Sequence, residues 1–208
     1  MTIDKWIKSV LGKYVKYNKS TKGYQCVDLA KSYLVDCFKF FHCFPSLEAN
    51  WAWGNARDWY ENYADHKELV KYFKRISNTP SFVPIKGDIL VFTENNKYGH
   101  ICIAYNDQST TKKIYSIDQN YPTGSKVKYC THYYTSEGFL GVLRPRDRIV
   151  SAPLNVRSEP SMDGKILRVL NEGDKVFINN LDSTKKWARI GRGEWVSYRY
   201  IEEIGYAD

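Results

Sequence analysis

The stretch GYQCVDLAKSYL, residues 23–34, sets the reading of everything around it. A glycine turn leads through Tyr24 and Gln25 into Cys26. Apolar residues then recur at Cys26, Leu29/Ala30, Tyr33/Leu34, Cys37/Phe38 and Phe41. That is helical spacing, with Cys26 in the first turn. Backbone N–H groups without intrahelical partners and the positive dipole end gather there, and both favour a thiolate. Because the thiolate is the attacking form of cysteine, this position suits a nucleophile better than the other cysteine positions do. It equally suits a small residue packed into a core, so the choice falls to the rest of the chain.

Downstream the pattern changes to period two. Residues 88–93 (DILVFT) make a short apolar strand. Residues 99–105 (GHICIAY) alternate, with His100, Cys102 and Ala104 facing one way and Ile101, Ile103 and Tyr105 the other. A third strand over 114–117 runs into Asp118-Gln119-Asn120-Tyr121-Pro122 and puts Ser116, Asp118 and Asn120 on one face. Two more strands are expected at 126–131 and 139–143. Ahead of them, residues 1–19 read as an amphipathic helix with Ile3, Trp6/Ile7, Val10/Leu11 and Tyr14/Val15 on one side. WAWGNARDWY (51–60) leads into a helical stretch ending near Arg75. Helices followed by an antiparallel sheet make an α+β domain.

These elements carry the parts of a thiol acyl-transfer site. Cys26 attacks a carbonyl carbon, and His100 takes the thiol proton and returns it to the leaving amine. Asp118 or Asn120 holds the far ring nitrogen. The Gln25 amide, with the Cys26 N–H, cradles the oxyanion. Taken singly, His100 also reads as a strand-edge histidine, Asp118 and Asn120 as turn residues and Asp28 as a helix cap. Trp51, Trp53, Tyr98 and Tyr121 are candidate substrate contacts, although tryptophans in 51–59 also serve a core. His42, His66 and His132 have no comparable setting and read as surface or core residues.

Composition bounds the rest. A chain of 208 residues with 17 Tyr, 9 Phe and 6 Trp has the material for a folded core in one or two domains. The 5 cysteines (26, 37, 43, 102, 130) contain no CxxC, which argues against a zinc site and a disulfide framework and suits a reducing cytoplasm. No apolar run approaches the roughly 18 residues of a membrane span. Residues 1–19 lack the features of a secretory signal peptide. The net charge of +8 is uneven: residues 1–146 hold 21 Lys+Arg against 13 Asp+Glu, and 147–208 hold 10 of each. A basic domain draws a polyanion, either nucleic acid or an anionic cell wall. The lysines form no stripe and no nucleic-acid motif accompanies them. A linker, 144–148, precedes short strands at 154–160, 166–170, 175–179, 187–190 and 194–196, which read as a small barrel of about 60 residues.

GYQCVDLAKSYL, WGNA, TPSFVPIKGDILVF, GHICIA and SIDQNYP, taken in order across residues 5–146, resemble the successive motifs of the CHAP family. CHAP domains are similar to papain in fold and cleave amide bonds of bacterial peptidoglycan. The resemblance implies Cys26 as nucleophile, His100 as base, Asp118 as its orienter where many members have Glu, Asn120 as support and Gln25 at the oxyanion. Several phage members carry a calcium loop before the cysteine. Here residues 17–23 hold lysines and no carboxylate, so no metal and no cofactor is expected. LNVRSEPS, LNEGDKV and GEWVSYRYIEE resemble bacterial SH3 (SH3b) domains, which bind cell wall; Tyr198 and Tyr200 are candidate contacts and Trp187 a contact or a core residue.

The expectation is therefore a papain-like α+β catalytic domain over 1–146 and a small all-β SH3-like barrel over 149–208. The implied function is a peptidoglycan hydrolase of endolysin type, an amidase or endopeptidase whose partner is the bacterial wall. No nucleic-acid or membrane partner is expected. The protein would be a monomer held in the host bacterial cytoplasm until lysis. The alternatives are an inactive wall-binding protein, a bacterial autolysin with the same chemistry, and a basic nucleic-acid-binding protein.

Overall fold

The structure, a computed structural model, describes residues 3–17, 23–38, 54–93, 97–134, 138–146, 148–176, 178 and 180–203. The chain divides into two compact units, Met1–Pro145 and Arg146–Asp208. Among the described residues no helix is long and apolar enough to cross a membrane.

In the first unit, helix α1 (Ile3–Val10) buries Trp6, Ile7 and Val10. It stops well short of residue 19. Gly12 adopts φ +76°, the left-handed conformation that ends helices. The chain then turns to pair with residue 127: Gly12 N–H donates to Val127 O and Val127 N–H to Lys13 O, each 2.9 Å. Leu11 and Tyr14, expected on the apolar face, are consequently exposed. Helix α2 (Cys26–Phe38) follows the expected spacing, with Phe41 outside the described residues. Residues 26–35 are buried on every side, the polar Asp28, Lys31 and Ser32 included. Their polar groups are engaged. Trp6 Nε1 donates to Ser32 Oγ (3.1 Å), Ser32 Oγ to Asp36 (3.0 Å) and the Tyr33 hydroxyl to Gly87 O (3.0 Å).

The stretch expected to stay helical to Arg75 breaks into α3 (Asp58–Glu61), a 3-10 turn (Tyr63–Asp65), α4 (Lys67–Tyr72) and strand β1 (Phe73–Ser77). Pairing with a partner that is remote in sequence overrides local helical preference. Five further strands follow: β2 (Ile89–Phe92), β3 (His100–Ala104), β4 (Lys113–Asp118), β5 (Lys128–Tyr133) and β6 (Phe139–Pro145). They form one antiparallel sheet in the order β1-β6-β2-β3-β4-β5. β2 and β3 are buried throughout, as central strands require. Leu90, Phe92, Cys102, Ala104, Ile114, Phe139 and Val142 make a shared core, and α2 packs against β3. Arg144, read as linker, is instead in β6. Its guanidinium makes a two-pronged ion pair with buried Asp88 at 2.8 and 2.7 Å.

The second unit contains β7 (Arg148–Val150), β8 (Leu154–Arg157), β9 (Ile166–Leu170), β10 (Lys175–Val176), β11 (Asn180–Leu181), β12 (Trp187–Gly191), β13 (Glu194–Ser197) and β14 (Ile201–Glu203). Rather than one closed barrel, the strands pair as two sheets, β10-β7-β14 and β11-β12-β13-β8-β9. Both sheets contribute to a core of Val150, Leu154, Val156, Leu170, Val176, Ile178, Ala188, Val196 and Ile201.

Candidate active site

β3 begins at His100, directly after Gly99 (φ +68°). A Cβ built on Gly99 would lie 2.5 Å from Phe92 O and 2.9 Å from Arg57 Cβ, so only glycine lets the chain enter the strand here. His100 Nε2 then meets Asp118 Oδ1 at 2.7 Å, across the β3–β4 pairing. Ser116, two residues back on the same face of β4, donates its hydroxyl to Asp118 Oδ2. A third donor was not foreseen. His132, on β5, places its Nε2 2.9 Å from the same Oδ1. Its ring lies between Phe92 and Tyr121, with centroids 4.8 Å from each, and its Nε2 is 3.9 Å from Cys102 Sγ. Asp118 and His132 are completely buried and His100 nearly so. Of the surface and core readings of His132, the structure shows the core one, and adds the contact to Asp118 that the sequence did not suggest. The strand expected at 126–131 stops short of it, and its proximity to His100 comes only from the β4–β5 register.

Electrostatics follow the geometry. Burial alone lowers the pKa of the His100 ring, but hydrogen bonding to Asp118, then to Cys102 and Cys26, more than offsets it and holds the pKa well above the ordinary histidine value. Burial also acts against the charged form of His132; Asp118 and Cys102 again outweigh it and raise the pKa. Burial would raise the pKa of Asp118, yet the two imidazoles drive it well below the usual carboxylate range.

Cys26 is the first residue of α2 and is buried, and it is one of the groups that favour the charged form of the His100 ring. Two side chains fix the turn before it. Asp28 caps the helix start, accepting the N–H groups of Gln25 (2.9 Å) and Tyr17 (3.3 Å). Gln119, fully buried and not anticipated, donates to Gln25 O and Val15 O at 2.8 Å each and accepts from Val15 N–H at 2.6 Å. It ties the residue preceding Cys26 to the residue following Asp118.

Of Asp118 and Asn120, it is Asp118 whose carboxylate meets the His100 ring. Asn120 lies beyond the end of β4 with φ +64°, donates to Gln25 Oε1 (3.4 Å) and accepts from Gly124 N–H (2.6 Å). Tyr121 stands beside His100, with ring centroids 5.1 Å apart. Tyr98 is 56% exposed with Lys97 over its ring at 5.1 Å, and its carbonyl accepts from Arg57 N–H. Trp51, Trp53 and His42 lie outside the described residues. Trp59 is in the core, and His66 is half-buried. In the second unit Tyr198 packs on the core, Tyr200 is 40% exposed beside Arg199, and Trp187 is half-buried. Asp28 is the first carboxylate in sequence after residues 17–23, the segment weighed above for calcium. It is occupied by backbone N–H groups and flanked by Lys31 and Lys16, a donor set that does not fit calcium's shell of oxygens.

Residues 15–120 match the profile of the CHAP domain. The chain belongs to the CHAP domain family. Residues 152–202 match the bacterial SH3 domain, so a CHAP domain is followed here by an SH3-like all-β domain. Among solved structures, the wild-type endolysin LysIME-EF1 is similar at 26% identity and a TM-score of 0.48 over 68% of this chain and 61% of that one. Ly7917 is similar at 17% identity and a TM-score of 0.43 over 98% of each chain. The match to LysIME-EF1 thus spans about three fifths of that protein's length. The comparison with curated proteins gives no match.

Proposed function

We propose that this CHAP protein is a peptidoglycan hydrolase of endolysin type that cleaves an amide bond of the bacterial wall peptide by thiol chemistry. The observation that supports this reading is the His100 imidazole bonded to a carboxylate, with Cys26 acting on the same ring. Asp118 meets Nε2 of His100, and Cys26 is one of the groups that favour that ring's charged form. With Nε2 taken, Nδ1 is the nitrogen that serves the thiol.

The reaction follows from those positions. Nδ1 of His100 accepts the Cys26 proton while Sγ attacks the amide carbonyl carbon. The resulting oxyanion is held by the Cys26 N–H and the Gln25 side-chain amide, whose oxygen end is already engaged by Asn120. The imidazolium gives its proton to the amine nitrogen as the C–N bond breaks, leaving a thioester on Cys26. Water, deprotonated by Nδ1, attacks the thioester, releases the carboxylic acid and restores the thiol. Throughout, Asp118 fixes the ring and stabilises its charged form. The SH3-like domain binds the wall, with Tyr200 as the better exposed of its two proposed contacts.

The test is clearing of a wall suspension by Cys26→Ala. Clearing is expected to disappear while sedimentation with the walls persists. Unchanged clearing would reject the thiol mechanism and favour the non-catalytic binder. Mass spectrometry of fragments released by the unmodified protein then separates an amidase (free stem peptides) from an endopeptidase (cut cross-bridges).

A further inference from the structure

Behind the proposed dyad lies a second grouping that acyl transfer does not require. His100, Cys102, Asp118 and His132 each offer one ligand atom, and all these atoms fall within 4.8 Å of one another in a completely buried cluster. Three adjacent strands supply them: His100 and Cys102 from β3, Asp118 from β4 and His132 from β5. Strand pairing therefore holds them side by side, and rotation of the side chains sets the remaining spacing. Neither Cys102 nor His132 has a step in the reaction above.

The donor types point to one class of cation. Two imidazoles, a thiol and a carboxylate form the mixed N/S/O set of zinc-like ions, whereas calcium and magnesium demand oxygen. With Cys102 and Asp118 anionic and both imidazoles neutral, a divalent ion brings the buried cluster to zero net charge, the condition a dry site imposes. Tetrahedral zinc, with ligand bonds of about 2.0–2.3 Å, sets its ligand atoms roughly 3.3–3.8 Å apart. The Cys102–His132 separation of 3.9 Å lies just beyond that range. The contacts of 2.7 and 2.9 Å to Asp118 must open, and the widest gap must close by about an ångström. The absence of CxxC, which argues from sequence against zinc, does not apply to a site assembled by sheet register.

We propose that His100, Cys102, Asp118 and His132 form a zinc-class cation site whose occupancy switches the hydrolase off. The ion takes the place of the Cys102 thiol proton, which passes to solvent, and of the proton on each neutral imidazole's Nε2, which moves to that ring's Nδ1. His100 is then bound through Nε2 with its single proton on Nδ1, the nitrogen that would otherwise receive the Cys26 proton. With no lone pair on Nδ1, it cannot act as the base. The inhibitory half of this proposal rests on the function proposed above; the binding half does not.

The experiment uses the full chain stripped of metal with a chelator. In Cys26→Ala, which removes the nucleophile as a competing ligand, Zn2+ titrated against a chromophoric chelator should bind one per chain in the micromolar range or tighter. Co2+ in its place should show the intense visible bands of tetrahedral coordination and a thiolate charge-transfer band. Adding Cys102→Ala should weaken binding about tenfold or more and abolish the charge-transfer band, with an unchanged circular-dichroism spectrum confirming the fold. In the chain with Cys26 intact, Cys102→Ala should still clear walls and should resist zinc concentrations that arrest its parent. Absence of zinc uptake or of the Co2+ bands in Cys26→Ala overturns the proposal without any further variant. So does equal binding, or equal inhibition, with and without Cys102. If the metal signals appear but no form clears walls, the site stands and the proposed hydrolase activity falls.

Discussion

Asp118 accepts three hydrogen bonds: one from the ring that would serve the nucleophile, one from a second ring with no step in the chemistry, and one from Ser116. A carboxylate one methylene shorter than the glutamate common in the family reaches its histidine from the end of β4, and His132 and Ser116 hold it there. This arrangement makes stability pH-dependent in a definite sense. Asp118 has a lowered pKa, so its contribution is complete above the unfolded value of about 3.9 and is lost as pH falls toward the folded value. His100 and His132 have raised pKa values, so theirs is complete below about 6.5 and is lost as pH rises through the folded values. The denaturant midpoint should therefore be highest between about pH 4 and 6.5. His132→Phe should flatten the alkaline decline and cost about 2 kcal/mol near pH 6, the scale of a buried charge-assisted hydrogen bond. His132→Gln, which keeps an N–H donor, should recover part of the midpoint but not the pH dependence. A pH profile identical in all three proteins would show that the His132–Asp118 contact carries no charge.

At the scale of elements, the site is legible wherever a local pattern positions a residue and illegible wherever pairing does. The helical recurrence from Cys26 and the alternation through His100 can be read along the chain. His132 and Gln119 cannot, because their roles depend on which strand lies beside β4 and on where the segment after α1 runs. The same limit explains β1: residues 73–77 lack a period-two contrast, and it is the pairing with β6 that makes them a strand. Arg144 likewise looks like a linker residue until Asp88 is placed beneath it. Gly99 is the element-level feature whose consequence is most direct. Alanine there must adopt φ +68° and also press on Phe92 O and Arg57. Gly124, at φ +82°, has nothing within 4 Å, so its alanine variant isolates the backbone term. Gly124→Ala should cost about 1–2 kcal/mol. Gly99→Ala should cost at least about 2 kcal/mol more by denaturant titration, since a buried overpacked contact adds to the strain. It should also lower clearing beyond the loss of folded protein, because β3 starts at the proposed base. Equal costs at the two glycines would mean that the β2–β3 entry adjusts freely.

Across the whole molecule, charge and chemistry are placed together. The excess of basic residues, 21 against 13, lies in residues 1–146 with the proposed site, while 147–208 is balanced at 10 against 10. On the proposed function, an anionic wall would attract the first unit, and the neutral SH3-like unit would hold the wall through aromatic and polar contacts such as Tyr200. The two kinds of attraction respond differently to salt. Screening shortens from about 10 Å at 0.1 M to about 3 Å at 1 M, so long-range attraction of the first unit fades while short-range contacts of the second persist. Clearing of intact walls should therefore slow several-fold as sodium chloride rises from about 0.05 to 0.5 M, through a higher half-saturating wall concentration rather than a lower limiting rate. Wall binding by residues 149–208 expressed alone should change little over the same range, and cleavage of a small uncharged peptide amide by the full chain should be insensitive to salt. If instead the isolated second unit loses the wall as salt rises while clearing by the full chain holds steady, the attraction resides in the SH3-like domain and the basic surface of the first unit serves another purpose.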